Sequence, residues 1–273
     1  MFVDSHCHLS FPELQGNLHR VRADMALAGV DRALCICTTL EEFPAVHALA
    51  TGYDNFWCSV GVHPDNEGVT EPTIADLVDR AALPRVVAIG ETGLDYYRLQ
   101  GRTVAEMAWQ RERFAVHIRA ARATGLPLVV HTRSASDDTL ALLRDEGQGQ
   151  VQGVFHCFTE TRQVALAALE MGFHISFSGI ITFKNAADLR AIAQEVPLDR
   201  CLIETDSPYL APLPFRGKTN SPALVVHVAQ QLASLKALSI EEVADATSRN
   251  FERLFGRVVQ PGATHENHDE KMV

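Results

Sequence analysis

The sequence lacks the paired cysteines that build zinc–thiolate sites. Six cysteines occur among 273 residues, and none of them forms a C-x-x-C pair, the spacing typical of such sites. Most lie in apolar, strand-like runs, where cysteine behaves as a small buried hydrophobe. We therefore exclude a thiolate metal site and expect the thiols to be reduced.

Positive charge is also scarce. Lys and Arg number 24 against 34 Asp and Glu, which gives a formal net charge of −10. This balance argues against a protein that coats nucleic acid through a broad basic face. It leaves room for an enzyme that grips a phosphate locally, especially where metal ions supply the positive charge.

Long hydrophobic runs are absent. No apolar run approaches the roughly 20 residues of a membrane-spanning helix, and no basic segment followed by an apolar stretch opens the sequence. We therefore expect a cytoplasmic protein without a membrane partner, and we favour a monomer. The composition, 47% hydrophobic and 21% charged, is that of an ordinary globular protein.

Apolar strand-like runs alternate with helical patterns along the chain. The strand candidates are 2–8, 33–38, 56–63, 86–91, 126–132, 153–158, 174–179 and 201–206. Segments between them, such as 20–29, 104–125 and 163–172, repeat apolar residues at three- and four-residue steps, which indicates helices. Eight strand–helix repeats at this length predict an α/β fold, a single-domain (β/α)₈ TIM barrel.

The barrel is assigned to residues 1–258. The tail 259–273 is polar and lacks periodicity, so we expect it to be disordered. No G-x-G-x-x-G follows an early strand, which disfavours a Rossmann fold.

Polar side chains of metal-ligand type stand at the carboxyl ends of the predicted strands. They are His6, His8, His63, Glu91, His131, His156, Glu204 and Asp206. His6 and His8 share one strand face because residues i and i+2 point to the same side. Barrel enzymes build their active sites at this end from several different strands.

Taken singly, each of these residues has a plain structural interpretation. A lone histidine such as His156 is more often a satisfied core residue than a ligand. Glu91 and Asp206, however, end apolar runs, where a buried carboxylate is costly unless it is paired or bound to metal. Metal coordination explains the presence of all these polar residues at the strand ends together.

The helical histidines (His19, His47, His117 and His227) are expected to lie on solvated faces.

With those residues assembled, the sequence resembles the TatD family of metal-dependent hydrolases, in the amidohydrolase-like barrel superfamily. The matching motifs are D-S-H-C-H-L (4–9), G-V-H-P (61–64), G-E-T-G-L-D-Y-Y-R (90–98), H-T-R (131–133), H-C-F-T (156–159), E-T-D-S-P-Y-L-A-P (204–212) and F-R-G-K-x-N (215–220). They occur in family order and cover residues 1 to about 256. Ser221 stands where the family often has Glu, which makes a role for that position in substrate choice doubtful.

The resemblance implies a site for two divalent metal ions. His6, His8, Glu91 and Asp206 would hold the first, and Glu91, His131 and His156 the second, with Glu91 bridging. Glu204 would hydrogen-bond to the metal ligands without binding these two ions, or would be a ligand for a further metal. The mixed imidazole and carboxylate set suits zinc, manganese or iron better than magnesium, although family members are usually assayed with magnesium or manganese.

The implied activity is that of a metal-dependent phosphodiesterase, a deoxyribonuclease acting as a 3′–5′ exonuclease on DNA ends through a metal-bound hydroxide. Asp206 and Glu91 would be catalytic, with Asp206 accepting the proton of the attacking water. His63 is assigned to the substrate phosphate. Arg133, Arg216 and Lys218 are phosphate-binding candidates, and Tyr96 or Tyr97 could stack on a base.

Two alternatives remain open at the level of sequence. The same ligands could serve a deacylase or amidohydrolase-type enzyme that cleaves a C–N or ester bond, such as that of D-aminoacyl-tRNA. A non-enzymatic metal-binding scaffold is also conceivable. The bridging carboxylate and the polar barrel mouth argue against the scaffold, because a structural site keeps no open coordination position.

Overall fold

Eight parallel strands form one sheet in the computed structural model, which describes residues 1–258. Each strand pairs with the next in chain order from β1 to β8. Their bounds are β1 Phe2–Cys7, β2 Val30–Cys35, β3 Phe56–Val60, β4 Val86–Asp95, β5 Leu128–Arg133, β6 Gly153–Phe155, β7 His174–Phe177 and β8 Cys201–Ile203. The predicted disorder of the tail 259–273 concerns residues outside this description.

Helices follow the strands and cover the outside of the sheet. Within residues 1–258 they are α1 Pro12–Gln15, α2 Leu18–Leu27, α3 Phe43–Gly52, α4 Ile74–Ala81, α5 Ala108–Thr124, α6 Ser136–Asp145, α7 Arg162–Glu170, α8 Ala187–Glu195, α9 Val225–Lys236 and α10 Ile240–Leu254. In this part of the chain no single helix is long and apolar enough to cross a membrane. The bent pair Pro222–Lys236 and Ile240–Leu254 has the necessary length and composition only when taken together.

The sheet closes where β1 meets the segment after β8. Cys7 pairs with Ser207 in a parallel bridge. The His8 N–H donates to the Ser207 carbonyl at 2.8 Å, and the Asp206 N–H donates to the His6 carbonyl at 2.9 Å. These bonds join the first and last strands, so the predicted single-domain (β/α)₈ barrel is confirmed.

A hydrophobic cluster fills the amino-terminal end of the barrel. It contains Val3, Leu34, Trp57, Val87, Val129, Val154 and Leu202 of the strands, with Phe251 and Leu254 at the end of α10 and Phe255 directly after it. Most of these strand residues are the second residue of their strand. Because apolar side chains occupy this end, the opposite, carboxyl end is left for polar groups, as is usual for TIM barrels.

Strand lengths differ from the predicted ones in a way that affects the site. β3, β6 and β8 end at Val60, Phe155 and Ile203, earlier than the apolar patterns indicate. β4 is longer, and all ten of its residues are buried. After β3, β6 and β8 the chain turns while it is still buried. The apolar sequence pattern therefore continues beyond the last hydrogen bond to a neighbouring strand. His63, His156 and Asp206 therefore follow their strands and do not lie within them.

Candidate metal centre

The carboxylate of Glu91, in β4, lies at the centre of the polar end of the barrel. Its Oε2 atom is 3.4 Å from Nε2 of His6, in β1, and 3.9 Å from Nε2 of His8, which directly follows β1. Oδ1 of Asp206 is 3.5 Å from the same atom of His6 and 3.3 Å from that of His8. The structure thus brings together the first predicted ligand set.

The other carboxylate oxygen of Glu91 faces a second group of imidazoles. Oε1 is 2.8 Å from Nε2 of His156, 3.3 Å from Nε2 of His63 and 3.4 Å from Nδ1 of His131. Candidate ligand atoms of His63, Glu91 and His131 all lie within 4.8 Å of one another. The position predicted for a phosphate contact, His63, is therefore also close enough to act as a ligand.

Unpartnered nitrogen atoms support a cation at this position. Nε2 of His6 and Nε2 of His8 face each other at 3.2 Å. Among the described residues, buried Nε2 of His156 makes no hydrogen bond of good geometry, although it lies 2.8 Å from Oε1 of Glu91. Imidazole nitrogens and carboxylate oxygens converging on one point are the usual donors for zinc, manganese or iron. The cluster therefore fits a divalent metal.

Two further carboxylates contact the imidazole nitrogens that face away from Glu91. Oδ2 of Asp95 is 3.1 Å from Nε2 of His131, and Oε1 of Glu204 is 3.2 Å from Nδ1 of His156. A carboxylate on the far nitrogen fixes the ring orientation of a histidine ligand and raises its basicity. Sequence reasoning missed Asp95. Its separation from Glu91 by four residues on one strand was the available signal, since such residues share a face.

The close approach of β4 and β5 depends on Gly93. This residue lies between Glu91 and Asp95 and has a φ of +133°. A Cβ atom placed on it would lie 1.9 Å from the carbonyl oxygen of His131. Only glycine combines this conformation with this contact, so Gly93 allows both carboxylates of β4 to reach the same histidine.

The surroundings of Glu91 and Asp206 favour their ionised forms by lowering the pKa of both carboxyls. Burial opposes the charge of Glu91, but His156 and the neighbouring imidazoles hold the pKa of this carboxyl well below its ordinary value. Burial likewise opposes the charge of Asp206, but its hydrogen bond with His8 lowers the pKa. Burial disfavours protonated His156, yet Glu91 and Glu204 raise its pKa well above the usual range. Because ligand nitrogens must be unprotonated, cation binding would release protons here.

A cavity of about 700 Å³ opens over the cluster at the barrel mouth. Arg133 lines it, with its guanidinium 3.7 Å from the ring centroid of Tyr97. Arg216 and Lys218 are exposed, pack over Phe183 and Phe215, and are not among the lining residues. Of the three side chains predicted to bind phosphate, the structure thus brings only that of Arg133 to the cavity.

The two tyrosines of the β4–α5 loop differ in their surroundings. The hydroxyl of Tyr96 donates to Oδ2 of Asp138 at 2.7 Å and accepts from Arg111, and its side chain is buried. Tyr97 is 61% exposed. The ring of Tyr96 is therefore packed inside the protein, whereas the ring of Tyr97 stacks against the guanidinium of Arg133.

Known proteins resemble this chain over nearly its whole length. The sequence profile of a family described as TatD related DNase matches residues 3–256. The chain belongs to the TatD family. It is 48% identical over 257 residues to the metal-dependent hydrolase YcfH of Escherichia coli K12, covering 93% of this chain and 95% of that protein. To YabD of Bacillus subtilis, also named a metal-dependent hydrolase, it is 37% identical over 256 residues, or 93% and 99% of the two chains.

Solved structures support the same assignment. The crystal structure of YjjV, a TatD homologue of E. coli K12, matches with a TM-score of 0.86 and 28% identity, over 93% of this chain and 98% of that one. A hydrolase of the TatD family from Entamoeba histolytica matches with a TM-score of 0.79 at 22% identity, over 93% and 97% of the two chains, which shows the shared fold. The chain is a metal-dependent hydrolase of the TatD family whose His, Glu and Asp clusters can bind metal.

Helix α5 anchors the loop that carries His63 in this TatD family member. Nη1 of Arg113 donates to the carbonyls of His63 and Asn66, each at 2.8 Å. Nε2 of His117 accepts from the Val62 N–H at 2.9 Å, and its Nδ1 faces the Arg113 carbonyl at 2.8 Å. The expectation that His117 lies on a solvated helix face is wrong, because its side chain is fully buried.

The stability of the protein should depend on pH through His117. Burial lowers the pKa of His117 from its ordinary 6.5 to about 4. Between these values the unfolded chain binds a proton that the folded chain does not, so stability is fully present above 6.5 and is lost as pH falls. From pH 7 to pH 5 this histidine alone should cost roughly 2 kcal/mol of unfolding free energy.

Urea unfolding of wild type and His117→Gln at both pH values measures this contribution. Glutamine keeps an oxygen that can accept from the Val62 N–H and does not titrate, so the variant should lose less stability on acidification than wild type. The exposed His19 supplies the matched control, His19→Gln. Equal losses in wild type and His117→Gln would show that His117 is protonated in the folded protein at pH 5.

Proposed function

We propose that this protein is a metal-dependent phosphodiesterase that removes nucleotides from the 3′ ends of DNA. The position of Glu91 carries the proposal. One carboxylate oxygen faces His6 and His8, while the other faces His156 and His131. A single carboxylate shared between two sets of imidazoles is the arrangement expected for a pair of cations bridged by one ligand.

Two divalent cations held in this way would supply a water of lowered pKa and positive charge for the transition state. The first would be held by His6, His8, Glu91 and Asp206, and the second by Glu91, His131 and His156. His63 is the imidazole that remains beside the second set, and it is assigned to the substrate phosphate. The identity of the cations is open among zinc, manganese, iron and magnesium.

Asp206 is placed to accept the proton of the attacking water. Its side chain is 17% exposed and lines the cavity, whereas Glu91 is 3% exposed. Burial opposes the charge of Asp206, but the hydrogen bond from His8 together with the charges of His6, His8 and His156 lowers its pKa, which favours the ionised carboxylate at neutral pH. An ionised carboxylate that faces both the ligand cluster and the cavity can act as a general base.

The form of the cavity supports cleavage at a strand end. A volume of about 700 Å³ lies in the range of small-molecule pockets, so it suits a terminal nucleotide and does not suit the middle of a duplex. The net charge of −10 favours local phosphate binding over binding along a duplex. Arg133 provides one positive side chain at the mouth.

Single-stranded DNA labelled at its 5′ end tests the proposal. With manganese or magnesium added, wild type should shorten the strand stepwise and leave a ladder of labelled products, and chelator treatment should abolish the reaction. Early release of a labelled mononucleotide would show the opposite polarity. If the metal-loaded protein leaves DNA intact but hydrolyses an aminoacyl ester of tRNA, the deacylase alternative replaces the nuclease.

A further inference from the structure

Two aromatic residues stand next to the first ligand set, each three residues beyond a candidate ligand. Phe11 follows His8, and its N–H donates to the His8 carbonyl at 3.1 Å. Tyr209 follows Asp206, and its N–H donates to the Asp206 carbonyl at 3.0 Å. The ring of Phe11 stacks on the ring of His8, with centroids 4.6 Å apart and planes 21° from parallel.

Together Phe11 and Tyr209 form an aromatic wall of the cavity. Their ring centroids are 6.2 Å apart, and both residues line the cavity. Tyr209 is 52% exposed although it belongs to a firmly held segment. The buried Asn220 donates from Nδ2 to the carbonyls of Tyr209 and Thr205, at 2.6 and 2.9 Å. An exposed ring on a firmly held backbone segment beside the ligands is available for contact with a substrate.

The opposite side of the mouth carries two guanidinium groups, of which that of Arg98 is paired with Asp65 at 3.6 Å. Arg98 and Arg133 line the cavity; Arg98 follows β4 and Arg133 is the last residue of β5, whereas the aromatic wall follows β1 and β8. In a closed barrel of eight strands these two pairs lie across the axis from each other. A ligand that spans the mouth therefore meets flat apolar rings at one side and guanidinium groups at the other.

We propose that the aromatic wall of Phe11 and Tyr209 is a stacking subsite for the nucleobase next to the scissile phosphate. This inference rests on the proposed function, because it takes the substrate to be a nucleotide chain. A nucleobase has the flat π face that aromatic side chains bind without sequence preference. Its phosphate then reaches the ligand cluster beside His8 and Asp206, while the following phosphates extend toward the arginines.

Binding of small phosphates tests the subsite without any cleavage. Calorimetric titration of metal-loaded protein compares thymidine 5′-monophosphate with 2-deoxyribose 5-phosphate, which has a hydroxyl in place of the base. Wild type should bind the nucleotide about tenfold more tightly, the size expected from one base–aromatic stack. Tyr209→Ala and Phe11→Leu should reduce this ratio, and Tyr209→Phe should preserve it. Phe215→Leu is the control, because Phe215 lies on the same segment as Tyr209 and does not line the cavity.

The possible results separate the subsite from the nuclease activity. Equal binding of the two phosphates by wild type, or no binding of either, overturns the subsite. A ratio that survives Tyr209→Ala and Phe11→Leu, in variants with unchanged metal content, overturns it as well. A base preference that disappears in these variants supports the subsite even if DNA is not cleaved, and in that case only the nuclease proposal fails.

Discussion

Replacement of Glu91 by glutamine should lower the hydrolytic activity on the order of 10³-fold or more and should also lower the amount of bound metal. The substitution keeps the size of the side chain but removes the negative charge that faces His6, His156 and three other histidines. An amide cannot bridge two cations with two anionic oxygens, and without both cations neither a water of lowered pKa nor transition-state charge neutralisation is available.

Elemental analysis and hydrolysis of labelled DNA on the same preparations measure the two effects together. Glu170→Gln is the matched control, because Glu170 is an exposed carboxylate at the end of α7. The control should keep wild-type metal content and activity. If Glu91→Gln retains its metal and its rate, Glu91 does not bridge, and the binuclear interpretation of the site is wrong.

Replacement of Asp206 by asparagine should lower kcat by about 10²–10⁴-fold, the range for loss of a general base. The second ligand set does not include Asp206, so the cation that it holds should stay bound. The fractional loss of activity should therefore be far larger than the fractional loss of bound metal. Asparagine is a better choice than alanine here. Asp206 has a φ of +55°, a left-handed conformation that Asn and Asp adopt more readily than other side chains.

The measurement compares kcat, KM and metal content of Asp206→Asn with those of wild type. Asp79→Asn removes an exposed carboxylate on α4 and should change none of them. A proportional loss of metal and activity would make Asp206 a ligand only. An unchanged kcat in a fully loaded variant would assign the proton transfer to another group.

Local patterns along the chain were enough to predict the barrel and the candidate ligands. Strand and helix periodicities are local properties, because side chains alternate along a strand and recur every three or four residues along a helix. Eight such repeats imply the barrel, and a barrel brings the carboxyl ends of its strands together. His6, His8, Glu91, His131 and His156 could therefore be assigned to one site before any contact between them was known.

The surroundings of these residues could not be predicted in this way, because they depend on contacts between elements that are far apart in the chain. The bond between Val62 and His117 joins positions 55 residues apart, and helical periodicity does not reveal which helix face meets a loop. For the same reason the F-R-G-K segment did not indicate that Arg216 and Lys218 lie outside the cavity lining. The aromatic wall has no sequence signal at all, since Phe11 and Tyr209 become neighbours only when β1 closes against the segment after β8. Local patterns specify which elements form, whereas contacts between distant elements depend on how their surfaces pack.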